Sequence, residues 1–222
     1  MPKYKVVEMF ESINGEGKKA GQLALFIRFQ FCNLNCSYCD TKWANTKKSP
    51  FTWMSLEEIL ETARQRGIKN ITLTGGEPLL QSHIFALLEA FSKEKMFEVE
   101  IETNGSIPLK KFQSIENPPS FTLDYKLPQS NMEEYMCLEN FSSVSAKDTV
   151  KFVVSDLQDL ERAREIMNQY SLIGKCSLYL SPVFGKIPLP TIVDFMKKYH
   201  LNGVNMQLQM HKFIWDPETK GV

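Results

Sequence analysis

Apolar and polar positions along this chain follow two periods, and the two take turns. Gln22 to Phe29, QLALFIRF, places Leu23, Leu25, Ile27 and Phe29 on one face of a strand and Ala24, Phe26 and Arg28 on the other. From Ser55 to Arg66 the period becomes helical. Leu56, Ile59, Leu60 and Ala63 form a stripe, Ser55 with Glu58 makes a capping box, and Gly67 stops the helix. Further strands are predicted over 70–74, 97–103, 121–127, 149–155, 176–181 and 204–210. Helical patterns separate several of them: one marked by Ile84, Leu87, Leu88 and Phe91, one opened by Ser155 and Gln158 as a capping box, and one over about 190–200. The stretch 130–147 is polar and reads as a loop with some helix. Such alternation predicts an α/β fold with parallel strands and crossover helices, in one domain spanning 1–222.

The chemistry-bearing residues follow the strands. FCNLNCSYCDT (31–41) comes after the first, GGEP (75–78) after the second and ETNGS (102–106) after the third. Asp124 and Lys126 lie near the end of the fourth, Ser181-Pro182 ends the sixth and His211 follows the last. In barrels and open parallel sheets that edge carries the active site.

Composition narrows the possibilities mainly by exclusion. Lys plus Arg equal Asp plus Glu, 26 against 26, so no electrostatic footprint argues for nucleic acid or an anionic membrane. No apolar run approaches a membrane span, and MPKYKVVEMFES lacks the layout of a signal peptide. A cytoplasmic location with reduced thiols is expected for the five cysteines. Cys137 and Cys176 stand apart from the others and read as small semi-buried side chains.

Cys32, Cys36 and Cys39 form Cys-x3-Cys-x2-Cys. A structural zinc site wants four Cys or His ligands and ferredoxin clusters take four thiolates, yet no fourth ligand lies nearby. A 4Fe–4S cluster on three thiolates leaves one iron open to a small molecule. The spacing, with aromatic Tyr38 before the third cysteine, resembles the radical S-adenosylmethionine (radical SAM) enzymes. In them the open iron chelates S-adenosylmethionine, and cleavage of that cofactor gives a 5′-deoxyadenosyl radical. Gly75-Gly76-Glu77-Pro78 resembles the family segment that receives the methionine amino group. The resemblance implies a trimmed, partial (β/α)6-type TIM-like barrel.

Phe10 with SINGEG (12–17), FIRFQFCNLNCSYCDT, TGGEPLL, ETNGS and the terminal QMHKFIW with Gly221-Val222 resemble the branch of that family that makes deazapurines. Asn14 stands where many members carry glutamine. Gly15, Gly17 and Ala20 match a dinucleotide fingerprint only formally, because a strand follows them rather than a helix. The resemblance implies a lyase acting on 6-carboxy-5,6,7,8-tetrahydropterin, contracting its ring with loss of ammonia in queuosine and deazapurine biosynthesis. It implies a homodimer, a flavodoxin-like electron donor and a magnesium ion on Thr41. Substrate contacts are expected from Ile13, Asn14, Gly15, Arg28, Thr74, Gln209 and His211. Contacts with S-adenosylmethionine are expected from Tyr38, Gly75, Gly76, Glu77, Glu102, Asn104, Asp124 and Lys126. Arg28 lies on a face otherwise made of Ala24 and Phe26, where a guanidinium serves either an internal ion pair or a carboxylate ligand. Two other classes share the cysteines: activases that install a glycyl radical on a protein, and non-enzymatic iron–sulfur or zinc-stabilised proteins.

Overall fold

In the computed structural model, which describes residues 2–217 and 219–222, the alternating run of the first predicted strand becomes β2 (Leu23–Phe29). Its neighbours β4 (Asn70–Gly75), β5 (Glu98–Thr103), β6 (Ser120–Tyr125), β7 (Thr149–Val154), β8 (Ser177–Pro182) and β9 (Val204–Met206) add on in chain order, each parallel to the last. β4 is buried at every position up to Thr74, as expected of a parallel strand covered on both faces. Antiparallel β1 (Lys3–Ile13) and β3 (Thr52–Ser55) extend the β2 edge, giving a nine-stranded sheet of order β3-β1-β2-β4-β5-β6-β7-β8-β9. No pairing joins its two ends among the described residues, so the barrel is partial.

The crossovers are α1 (Leu56–Arg66), α2 (Ile84–Ser92), the short α3 (Asn140–Ser143), α4 (Leu157–Gln169) and α5 (Leu189–Lys198); α6 (His211–Ile214) follows β9. The predicted capping box of α1 is present: Glu58 N donates to Ser55 Oγ at 3.2 Å and Ser55 N to Glu58 Oε2 at 2.6 Å. Gly67 ends the helix in the left-handed conformation, φ 66°. Ile59, Leu60 and Ala63 bury the predicted stripe.

Three expectations change. β1 and β3 were not predicted as strands. A register shift between Val6 and Glu8 breaks the alternation of β1, and the four residues of β3 are too few to show a period. The last strand stops at Met206: Gln207 N still donates to Leu180 O of β8 at 3.0 Å, while its side-chain amide turns onto Gly17, accepting from its N–H at 2.6 Å and donating to its carbonyl at 3.1 Å. α4 is capped by Asp156 rather than by Ser155 with Gln158: Asp159 N donates to Asp156 Oδ1 at 2.9 Å, and Ser155 N to Asp159 Oδ2 at 2.8 Å. The stretch 130–147 holds two single turns and α3, in line with its irregular pattern. Among the described residues no helix is long and apolar enough to cross a membrane.

Replacing Ser55 by Ala removes one acceptor from the head of α1. It should lower unfolding stability by about 1 kcal/mol without changing the slope of a urea titration.

Candidate active site at the carboxyl edge of the sheet

The cysteine loop is held by backbone. Phe31, at φ 78°, turns the chain out of β2; its N–H donates to Ala44 O at 3.1 Å, and Cys32 N donates to Asn45 O at 3.1 Å. The GGEP turn lies directly against this start: Gly76 N donates to Phe29 O at 3.1 Å and Glu77 N to Phe31 O at 2.9 Å. A Cβ on Gly75 would collide with the backbone of Phe29, and one on Gly76 with that of Phe31 and Cys32. These glycines therefore allow two loops to touch, a need prior to any contact with a ligand.

Glu77 holds the same turn from below. Its fully buried carboxylate accepts from Leu79 N at 3.0 Å, Thr103 Oγ1 at 2.9 Å and Asn104 N at 2.7 Å. Burial pushes its pKa up to about 7, while those three donors oppose the rise. The side chain does not line the cleft. It ties the turn after β4 to the end of β5, so the side chain braces the site while the backbone of Glu77 stays part of the glycine turn.

A cleft of about 710 Å³ opens beside these loops, lined by all three thiols of the motif. Cys32 Sγ accepts from Leu34 N and Asn104 Nδ2, both at 3.4 Å; Cys39 Sγ accepts from Asn45 Nδ2 at 3.0 Å. Donors aimed at sulfur suit thiolate ligands. Among the described residues no three His, Cys, Asp or Glu side chains converge to hold a single metal ion. Three thiols spread along one wall instead suit three corners of a cluster. Burial pushes the Cys36 thiol up to about 11 and raises Cys32 as well, so loading the site must release protons.

The floor of the cleft is a chain of buried charge. Lys126 Nζ lies 2.8 Å from Asp124 Oδ2, Lys151 Nζ 3.7 Å from the same oxygen, and Lys151 Nζ 3.0 Å from Glu16 Oε2. Glu16 also accepts from Ser181 Oγ at 2.5 Å and Gln209 Nε2 at 3.3 Å. Burial alone would lower Lys151, but Glu16, Asp124 and Glu102 outweigh it and hold the ammonium charged. Asp124 Oδ1 and Tyr38 OH are buried without a hydrogen-bond partner among the described residues, the kind of atom that a polar ligand satisfies. Glu16 and Lys151 were missed by sequence reasoning. SINGEG drew attention to its glycines, and a lysine inside TVKFVVS is indistinguishable there from an outward-facing charge.

Arg28 lines the same cleft. Its Nε donates to Glu8 Oε1 at 2.7 Å, so the internal ion pair exists. The guanidinium carbon lies 5.7 Å from the Phe10 ring and 5.8 Å from that of Trp43, with Phe10 stacked on Phe26 at 5.0 Å. This aromatic wall beside a cation matches a flat, anionic heterocycle. Thr41 Oγ1 stands 3.6 Å from Cys39 Sγ and lines the same space. One hard hydroxyl fits a magnesium ion that keeps its waters and takes further ligands from substrate oxygens.

The chain termini close the cleft. Met210 N donates to Gly15 O at 3.1 Å, and the His211 ring packs so closely on Gly15 that no Cβ could stand there. Burial lowers His211, leaving a neutral imidazole at pH 7. Of the site residues expected from the sequence, all line the cleft except Glu77 and Asn14. The Asn14 side chain turns to β4 and accepts from Thr72 Oγ1 at 2.9 Å, while its backbone bonds Gln22 O and Gly21 N.

The profile of the Radical SAM superfamily matches residues 26–126. The 7-carboxy-7-deazaguanine synthase of Clostridium acetobutylicum is 56% identical over 219 residues, 99% of each chain. That of Chlorobaculum tepidum is 34% identical, covering 98% of this chain and 96% of its own. The crystal structure of QueE from Escherichia coli superposes with a TM-score of 0.72 at 21% identity, over 94% of this chain and 95% of that one, a likeness of fold. Cysteine loop, glycine turn and partial barrel thus define a radical SAM protein. Within that superfamily the chain belongs to the 7-carboxy-7-deazaguanine synthase family.

Two measurements test this geometry. Gly76→Ala should force the glycine turn off the cysteine loop; iron and sulfide per reconstituted chain should fall severalfold, with secondary structure retained by circular dichroism. Glu77, raised from 4.5 to about 7, contributes stability that is complete below pH 4.5 and is lost as pH rises through 7. In cofactor-free protein that contribution is about 3 kcal/mol. Glu77→Gln should flatten the slope of stability against pH in this window, whatever its effect on the absolute value.

Proposed function

We propose that this protein contracts 6-carboxy-5,6,7,8-tetrahydropterin to 7-carboxy-7-deazaguanine with release of ammonia, a carbon–nitrogen lyase reaction. The observation that carries this reading is the meeting, in the lining of one cleft, of three cysteines with Arg28 and its aromatic neighbours. A bound 4Fe–4S cluster and S-adenosylmethionine would supply the 5′-deoxyadenosyl radical that removes hydrogen from carbon six.

The protein's own part is to bind, orient and exclude. Cys32, Cys36 and Cys39 hold the cluster, and Asn104 and Asn45 donate to two of their sulfurs. Gly75 and Gly76 offer backbone, and Tyr38, Glu102, Asp124 and Lys126 offer polar or aromatic edges, to S-adenosylmethionine. Arg28 takes the substrate carboxylate. Glu8 engages only its Nε, which orients the fork toward a second acid. Thr41 holds magnesium, which balances carboxylate charge. Ile13, Gly15, Thr74, Gln209 and His211 surround the ring system, and His211 against Gly15 shuts out water. A second copy of the chain and a flavodoxin-like one-electron donor complete the working assembly. The cleft suits a cofactor and a small substrate; a glycyl-radical activase must admit a polypeptide loop, which favours the lyase.

The test is anaerobic reconstitution with iron, sulfide, reductant, S-adenosylmethionine, magnesium and the pterin, followed by mass spectrometry. 7-Carboxy-7-deazaguanine should form and vanish in Cys32→Ala. Deoxyadenosine without that product would refute the substrate, and neither product on a loaded cluster would refute the enzyme. Arg28→Lys keeps the charge but loses the planar fork. It should raise the KM for the pterin roughly tenfold to a hundredfold while leaving uncoupled deoxyadenosine formation intact.

A further inference from the structure

A second concavity, of about 680 Å³, is bounded by the start of β1, the loop before β3 and the turn before α2. It shares the cysteine loop with the cleft: Cys32 lines the cleft, and the preceding residue, Phe31, lines this groove. Lys3, Lys5, Lys47 and His83 edge it, and no aspartate or glutamate lines it among the described residues. None of the three lysines makes an ion pair among those residues. Lys47 Nζ instead rests 5.3 Å from the Phe31 ring, and Lys5 Nζ lies 5.1 Å from Phe51 and 5.5 Å from Trp53. Trp53 is 52% exposed, an unusual placement for the most hot-spot-prone residue type.

The groove is built, and does not arise from loose side chains. Buried Gln30 donates through Nε2 to the carbonyls of Lys47 and Ser49, fixing the loop that carries the lysine. Gln81 donates to Gln30 O at 2.9 Å and accepts from Lys5 N at 3.4 Å, tying the far rim to β1. In a chain of zero formal net charge, this makes a fixed, local positive field around an exposed aromatic anchor.

We infer that this groove is the docking surface for an acidic, one-electron carrier protein. The inference rests on the radical reading above, which requires an electron from outside while S-adenosylmethionine and substrate fill the cleft. A carrier must then approach the cluster from another side, and this groove reaches it through Phe31, half-buried in the groove wall and peptide-bonded to the cluster ligand Cys32. At docking one electron leaves the carrier, oxidised by one unit, and enters the cluster, reduced by one; no bond forms or breaks there. Small, charge-steered contacts are the rule for such transient redox encounters.

The experiment compares two reductants on the reconstituted enzyme: dithionite, and a reduced acidic flavodoxin. Lys5→Glu/Lys47→Glu should leave dithionite-driven turnover within about twofold and raise the apparent KM for flavodoxin roughly tenfold or more, with its salt dependence flattened. Carbodiimide cross-linking of the wild type should join flavodoxin carboxylates to Lys3, Lys5 or Lys47, read by peptide mass spectrometry without turnover. Should the double variant fail to load its cluster, Lys47→Ala, whose ammonium touches only an aromatic face, takes its place. An unchanged flavodoxin KM, or cross-links elsewhere on the surface, would overturn the docking site. Wild-type enzyme that makes no deazaguanine even with dithionite would sink the functional reading instead, and the cross-links would still report on the groove.

Discussion

Everything in the site depends on two backbones lying closer together than side chains allow. Gly75 and Gly76 pack on Phe29, Phe31 and Cys32, with hydrogen bonds from Gly76 and Glu77 closing the contact. This fixes the cysteine loop to the end of β4 and so to the sheet. Without that contact, three cysteines on a polar loop would wander by several ångströms, too far for rigid three-point ligation. Glu77 extends the constraint to β5 by accepting from Thr103 and Asn104, and Asn104 in turn donates to Cys32 Sγ. A single acid that never enters the cleft thus aligns glycine turn, asparagine and thiol.

The second constraint is electrostatic. Burying isolated charge is costly, and the cleft floor meets that cost by alternation: Lys126, Asp124, Lys151 and Glu16 form two cations and two anions in sequence. These residues come from the ends or interiors of β6 and β7 and from the loop after β1, so the network also braces elements far apart in the chain. One oxygen of Asp124 is left over. A network satisfied at all but one point has an evident place for a ligand atom.

Legibility in the sequence tracked the range of the cause. Local causes were readable: the box of Ser55 and Glu58, the left-handed stop at Gly67, the two faces of β2, and the cysteine spacing itself. Causes that depend on partners distant in the chain were not. The register shift in β1, the end of the last strand at Met206, and Asp156 displacing Ser155 as a cap are choices between near-equivalent local options, settled by tertiary packing. The same limit explains the bonds of Glu77 to β5 and Lys151, visible only as one lysine in a strand. The glycines of GGEP resembled a family segment that meets a ligand. Only the structure showed that what approaches first is the chain itself.

This division has a consequence for how the site is put together. The cofactor side comes from the middle of the chain, residues 26–126, where ligands and braces are close in sequence or on adjacent strands. The opposite rim of the cleft is closed by its two end segments: Gly15 meets His211, Gly17 meets Gln207, and Glu16 meets Gln209. These contacts span about 190 residues. The three thiols therefore sit where their supports are close in sequence or on adjacent strands, whereas closure of the cleft depends on contacts between distant parts of the chain. Substitutions in these two end segments can therefore reshape the rim of the cleft while the cysteine loop and the glycine turn, braced within the middle of the chain, stay as they are.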